Sequence, residues 1–159
     1  MALPTNPYDS NPLTHDSCTN ILLLKLKLDS NLYDFDLSTC GLCTVNTETA
    51  PPYKTLFYVW GPENSLKEFL LNGQALDVRK HLWDFEIQSN HGEEKEMSLG
   101  SLSDDTEYIW IDALCIDQRN LKERLHQVAI MGDIYSSATH VLVWLGIKGD
   151  NIQIAANML

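Results

Sequence analysis

The chain has 159 residues, 44% of them hydrophobic, a length that suits one compact domain with a sizeable core and is short for two. Twenty-two acidic residues against eleven basic ones give a formal charge of −11, which opposes binding to a phosphate backbone or an anionic membrane, and the largest basic cluster, Arg79-Lys80-His81, is too small to reverse that. Nucleic acid is therefore not expected as a partner, and neither is a membrane, because the opening Met-Ala-Leu-Pro-Thr-Asn-Pro lacks the basic and apolar regions of a signal peptide and no apolar run reaches the roughly 18 residues of a membrane span.

Residues 1–20 mix Pro, Asn, Ser, Thr and Asp without apolar periodicity and read as a mobile leader before a domain spanning 21–159. From Ile21 to Leu28 the leucines at 22, 24, 26 and 28 alternate with Lys25 and Lys27, which predicts a strand with one buried face. A second extended stretch is expected between Leu32 and Val45. After Pro51-Pro52, the run Thr55–Trp60 is aromatic and β-branched and stops at Gly61-Pro62, so it reads as a buried strand ending in a loop. Asn72-Gly73 between two apolar runs predicts a two-residue hairpin. Arg79–Ile87 reads as a helix with Leu82, Phe85 and Trp83 inward, and residues 88–106, rich in Gly, Ser and acids, as a solvated loop.

Tyr108–Ile116 is almost continuously apolar apart from Asp112, the pattern of a strand covered on both faces. From Leu121 the positions 125, 128, 129, 134 or 135 and 138 form the stripe of an amphipathic helix, and Val141–Leu145, closed by Gly146, forms another buried strand. Strand, helix and strand in about 40 residues make a βαβ crossover, which puts two parallel strands side by side with the helix on one face. The fold class is α/β. Asp150–Leu159 reads as the opening of a further helix, and the chain as the N-terminal part of something longer.

The stretch Tyr108-Ile-Trp-Ile-Asp-Ala-Leu-Cys-Ile-Asp-Gln118, followed by Glu123-Arg124, Gln127-Val128, Met131, Ile134-Tyr135, Ala138 and Val143-Trp-Leu-Gly146, closely resembles the central signature of the fungal HET (heterokaryon incompatibility) family. Thr55-Leu-Phe-Tyr-Val-Trp-Gly61 resembles the family's upstream motif, and Leu70-Leu-Asn-Gly73 the hairpin after it, so the resemblance covers about residues 21–155. Phe57 stands where that family has Ser, and Asp117 where it has Asn. The resemblance implies a TIR-like or flavodoxin-like, largely parallel sheet flanked by helices with a small β-hairpin insertion. It also implies a cytoplasmic role in non-self recognition that ends in programmed cell death, akin to innate immunity. Partners implied are further copies of the chain or a recognition protein or domain.

Two function classes stay open at this point: cleavage of NAD as a substrate, in the manner of some TIR domains, and assembly without chemistry. In doubly wound folds ligands sit beyond the C-terminal ends of the parallel strands. That edge holds Trp60, Gly61, Asp112, Cys115 and Gln118, and the helix leaving it carries Glu123, Arg124 and Gln127. By analogy with TIR domains Glu123 is the first choice for a catalytic carboxylate, which would bind ribose hydroxyls and stabilise an oxocarbenium-like centre. Asn120 followed three residues later by Glu123 equally fits a capping box. Asp112 needs a partner, because a lone buried carboxylate costs several kcal/mol on the order of magnitude seen in proteins; ligand binding and loop capping both supply one. Arg124 is a candidate partner for Asp112 or Asp117, and Gln127, one turn on, either shares the face of Glu123 or lies at the surface. Cys115 reads more readily as a core residue than as a nucleophile served by His126 or His140. The four cysteines, at 18, 40, 43 and 115, suit reduced thiols, and Cys40-x-x-Cys43 is only half a zinc site. No metal and no tightly bound cofactor are expected, since no nucleotide-binding or zinc-protease motif occurs.

Overall fold

The computed structural model describes residues 6–13, 19–25, 40–91, 108–146 and 154–155. Their elements run, in chain order, β1 (Asn20–Lys25), β2 (Gly41–Asn46), β3 (Lys54–Tyr58), β4 (Leu66–Leu71), β5 (Gln74–Arg79), α1 (Lys80–His91), β6 (Tyr108–Trp110), α2 (Asp112–Cys115), α3 (Leu121–Ala129), α4 (Met131–Ser137), β7 (His140–Trp144) and β8 (Ile154–Ala155). Six strands form one sheet in the order β2-β1-β6-β3-β7-β8, and β4-β5 form a separate hairpin.

The α/β class holds, but the expected largely parallel sheet is corrected to a mixed one. Only the central trio β6, β3 and β7 is parallel; β1 runs antiparallel to β6 and to β2, and β8 antiparallel to β7. The crossover through α3 and α4 does join parallel strands, as its length requires, yet β6 and β7 are not neighbours, because β3 lies between them. Of the stretch Asp150–Leu159, expected to open a helix, only residues 154–155 are described, and they form β8; the rest lies outside the described residues.

Four local expectations change for identifiable reasons. Ile21, Leu22, Leu23 and Leu24 are all fully buried, so β1 is covered on both faces rather than one; Leu26–Leu28 lie outside the described residues. The predicted strand Tyr108–Ile116 stops at Trp110 and gives way to α2 from Asp112, since a short apolar run suits a buried helical turn as well as a buried strand. The single helix expected from Leu121 is two helices, broken at Ile130. Finally, α1 continues to His91, beyond the predicted end.

Other features follow the sequence directly. Asn72 and Gly73 both adopt positive φ, 52° and 74°, as a tight hairpin turn demands, and β4 and β5 pair in register around them. Leu82 and Phe85 of α1 are buried and Trp110 and Trp144 lie in the core. Of the stretch read as a leader, residues 6–13 pack on the domain: Tyr8 is 5% exposed and donates its phenol to the Leu114 carbonyl at 3.1 Å.

Candidate functional site

The C-terminal ends of β3 and β6 bring Trp60 and Asp112 together. Asp112, placed at the first turn of α2 rather than inside a strand, accepts the Trp60 indole N–H on Oδ2 at 2.8 Å and the Ala113 amide on Oδ1 at 2.7 Å. Burial pushes its carboxyl above the ordinary value of 3.8, while those two donors pull the other way. The phenols of Tyr58 and Tyr135 are both raised, first by burial and in each case also by the nearby Asp112 charge. Gln118 ties the next loop in, donating from Nε2 to the Asp112 carbonyl at 2.9 Å.

Above this cluster, the Arg79 guanidinium lies over the Trp60 ring, 5.0 Å from its centroid, and donates to the Gly61 carbonyl at 2.9 Å and to Glu63 at 3.0 Å. Gly61 has φ of +80°, and a Cβ there would come within 2.8 Å of the His81 ring, which itself sits 2.7 Å from the Val59 carbonyl. Only glycine permits this approach. Sequence reading missed Arg79, His81, Tyr58 and Tyr135 as members of the cluster. The signal for Tyr58 was available, because it lies two residues before Trp60 and shares its side of the strand.

A second carboxylate group forms where α2 leads into α3. Glu123 is 7% exposed and Asp117 8%. Glu123 Oε1 accepts the Asp117 amide at 2.8 Å, and the Asn120 side chain accepts the Glu123 amide at 3.2 Å. This is a variation on the capping box, in which the glutamate closes the loop before the cap instead of bonding the cap residue. Asp117 accepts the Arg119 amide at 3.0 Å and the Asn6 side chain at 3.4 Å, and the Arg119 Nε stands 3.6 Å away. An aspartate here makes the same loop-closing bond an asparagine would make, with the extra charge met by Arg119. Asn6 and Tyr8, which no local pattern marks, close over this loop.

Three sequence-predicted positions fall elsewhere. Arg124 is exposed on α3 and is not the partner of Asp112, whose donors are Trp60 and Ala113, or of Asp117, whose donors are Arg119 and Asn6. Cys115 is fully buried, with its thiol raised by burial and its sulfur 3.4 Å from the Ile111 amide, so it is a core residue and out of reach of a ligand. Gln127, fully buried on the same side as Glu123, donates to the Asn20 carbonyl at 2.9 Å. Phe57, the other departure from the family pattern, is 54% exposed and meets Tyr135 edge-on. Among the described residues no group of His, Cys, Asp and Glu is disposed to hold a metal, and no helix is long and apolar enough to cross a membrane.

The expected apolar stripe of α3 is also inverted. Leu121, Leu125 and Val128 are 57%, 62% and 54% exposed, while the polar Glu123 and Gln127 face the interior. Those two side chains satisfy backbone groups of Asp117 and Asn20 that burial would otherwise leave unpaired.

A mixed sheet with a parallel centre, a separate hairpin and an aromatic-carboxylate cluster at the strand ends makes this an α/β module. The model of the family "Heterokaryon incompatibility protein (HET)" matches residues 53–158, and the chain belongs to that family. Heterokaryon incompatibility protein 6, OR allele, of Neurospora crassa is 34% identical over 146 residues, covering 87% of this chain and 20% of that protein. The chain thus spans about a fifth of the length of this curated relative. No solved structure matches it.

Proposed function

We propose that this chain acts in fungal non-self recognition as the domain that converts a recognition event into programmed cell death, and that it does so by associating with further copies or with a recognition protein. Family membership and the incompatibility relative support the biological role. The observation that carries the mode of action is the apolar face of α3: three large aliphatic side chains stand in solvent while the carboxylate most suited to chemistry, Glu123, is engaged in closing a loop. Exposed apolar residues on one helix face mark interaction surfaces. Fungal cells expressing the chain test this. Loss of killing in Leu125→Ser with killing retained in Glu123→Gln supports association, and the opposite pattern contradicts it.

A second reading is TIR-like hydrolysis of NAD, in which Glu123 holds the ribose hydroxyls as nicotinamide departs. It is favoured by the withdrawal of Glu123 from water near the C-terminal edge of the parallel strands, where α/β proteins bind nucleotides. The kinship with TIR and flavodoxin-like folds belongs to this reading too. Nicotinamide release from NAD by concentrated protein, abolished in Glu123→Gln, would establish it; no release from either protein excludes it.

A further inference from the structure

The outer face of the β4–β5 hairpin has the properties that the α3 ridge lacks. The register pairs Leu66 with Arg79, Glu68 with Asp77 and Leu70 with Ala75, so these six side chains share one side of the hairpin. On it Leu66 and Leu70 are 50% and 46% exposed, and Glu68, Ala75 and Asp77 are exposed as well. The opposite side sends Phe69, Leu71 and Val78 into the core and carries Lys67. Arg79, at the hairpin base, already spends its charge on Glu63 and the Gly61 carbonyl. The outer face is therefore aliphatic with two acids opposite each other at its centre.

The α3 ridge is its complement. At 100° per residue, Leu121, Leu125 and Val128 fall on one line, with Lys122 on one flank and Arg124 on the other, both exposed. Lys122 and Arg124 are two of the eleven basic residues of a chain whose formal charge is −11, and Arg119 just before the helix is already paired with Asp117. Two acidic copies repel unless a basic patch of one meets an acidic patch of the other, and here each patch surrounds exposed aliphatic side chains.

We infer that the chain associates with a second copy of itself head to tail, the Leu121-Leu125-Val128 ridge of one copy docking on the Leu66-Leu70-Ala75 face of the next, with Lys122 and Arg124 set against Glu68 and Asp77. The two surfaces belong to different elements, so the contact is heterologous and leaves one of each surface free on every dimer, which permits growth into a ring or filament. This rests on the proposed association and names its surfaces.

The test is sedimentation of the full chain over a concentration series. The unsubstituted chain is expected to form species larger than dimers. Leu125→Ser and Leu70→Ser, which alter exposed positions, should each weaken self-association by about tenfold or more while keeping the parent circular dichroism spectrum. Mixed together, the two variants should form a one-to-one complex that grows no further, since each lacks a different half of the contact. A chain that stays monomeric at the highest concentration, variants that assemble like the parent, or a mixture that shows no complex would each overturn the inference. If the mixture behaves as expected but Leu125→Ser and Leu70→Ser still kill fungal cells, the contact stands and the association reading of function fails.

Discussion

Helices α1 and α3 carry similar apolar residues and turn them in opposite directions. In α1, Leu82 and Phe85 are buried at 1% and 3% exposure. In α3 the aliphatic residues face out and Glu123 and Gln127 face in. The reason lies in what each helix covers. α1 sits beside the hairpin and the sheet, where Phe85 meets Trp144 edge-on at 6.1 Å and Leu82 and Phe85 fill the space, alongside the buried Glu86. α3 covers the amide of Asp117 and the carbonyl of Asn20, polar groups for which an aliphatic residue offers nothing. A helix's buried face is set by its neighbours' unmet needs as much as by its own hydrophobicity.

The largest effect expected from this contrast is in α1. Phe85→Ala should cost about 3–5 kcal/mol of unfolding free energy, read by urea titration, because it opens a cavity against Trp144. A loss below about 1 kcal/mol would mean that α1 does not seal the core. Next come changes at the strand edge and the α3 corner. Gly61→Ala should lose about 1–3 kcal/mol, since it combines a left-handed backbone with a clash on His81 that breaks the ring's contact with Val59. Glu123→Ala should lose about 1–3 kcal/mol by orphaning the Asp117 amide, whereas Glu123→Gln, which keeps an acceptor, should lose less than about 1 kcal/mol. Equal losses for the two would show that charge, not the loop-closing bond, is what Glu123 provides.

A smaller effect sharpens the contrast by pH. The Asp112 carboxyl is raised above 3.8 in the folded chain, so its ionisation opposes folding above its folded value, and that cost disappears as pH falls towards 3.8. Asp112→Asn cannot titrate and surrenders one of the two N–H bonds, about 1 kcal/mol. Unfolding free energies measured from pH 7 downwards should therefore show the parent gaining on the variant as pH falls; a constant difference would mean the carboxyl is not raised. Smallest of all, Leu125→Ser should change stability by no more than about 0.5 kcal/mol, because its side chain already lies in solvent.

Much of the architecture was legible because local chemistry specified it. Asn72-Gly73 dictated its turn, and the spacing from Tyr108 to Trp144 required a crossover between parallel strands. The insertion of β3 between β6 and β7 was not legible, since strand order depends on contacts far apart in sequence. The strand-to-helix switch at Asp112 was hidden by a run of apolar residues with no Gly or Pro to punctuate it. In the site, Asp112 advertised its need for a partner but not which one, and Trp60 became that partner only through the sheet register. The roles of Asn6 and Tyr8 had no local signal at all, because both act more than a hundred residues away along the chain.

The direction α3 faces underlies both the reading of Glu123 and the proposed contact, and thiol labelling measures it directly. In dilute folded protein, a maleimide should modify Leu125→Cys at close to the rate of an unhindered thiol, above the background of the native cysteines, while Gln127→Cys stays protected until the chain unfolds. Rapid modification at 127 with protection at 125 would contradict the account.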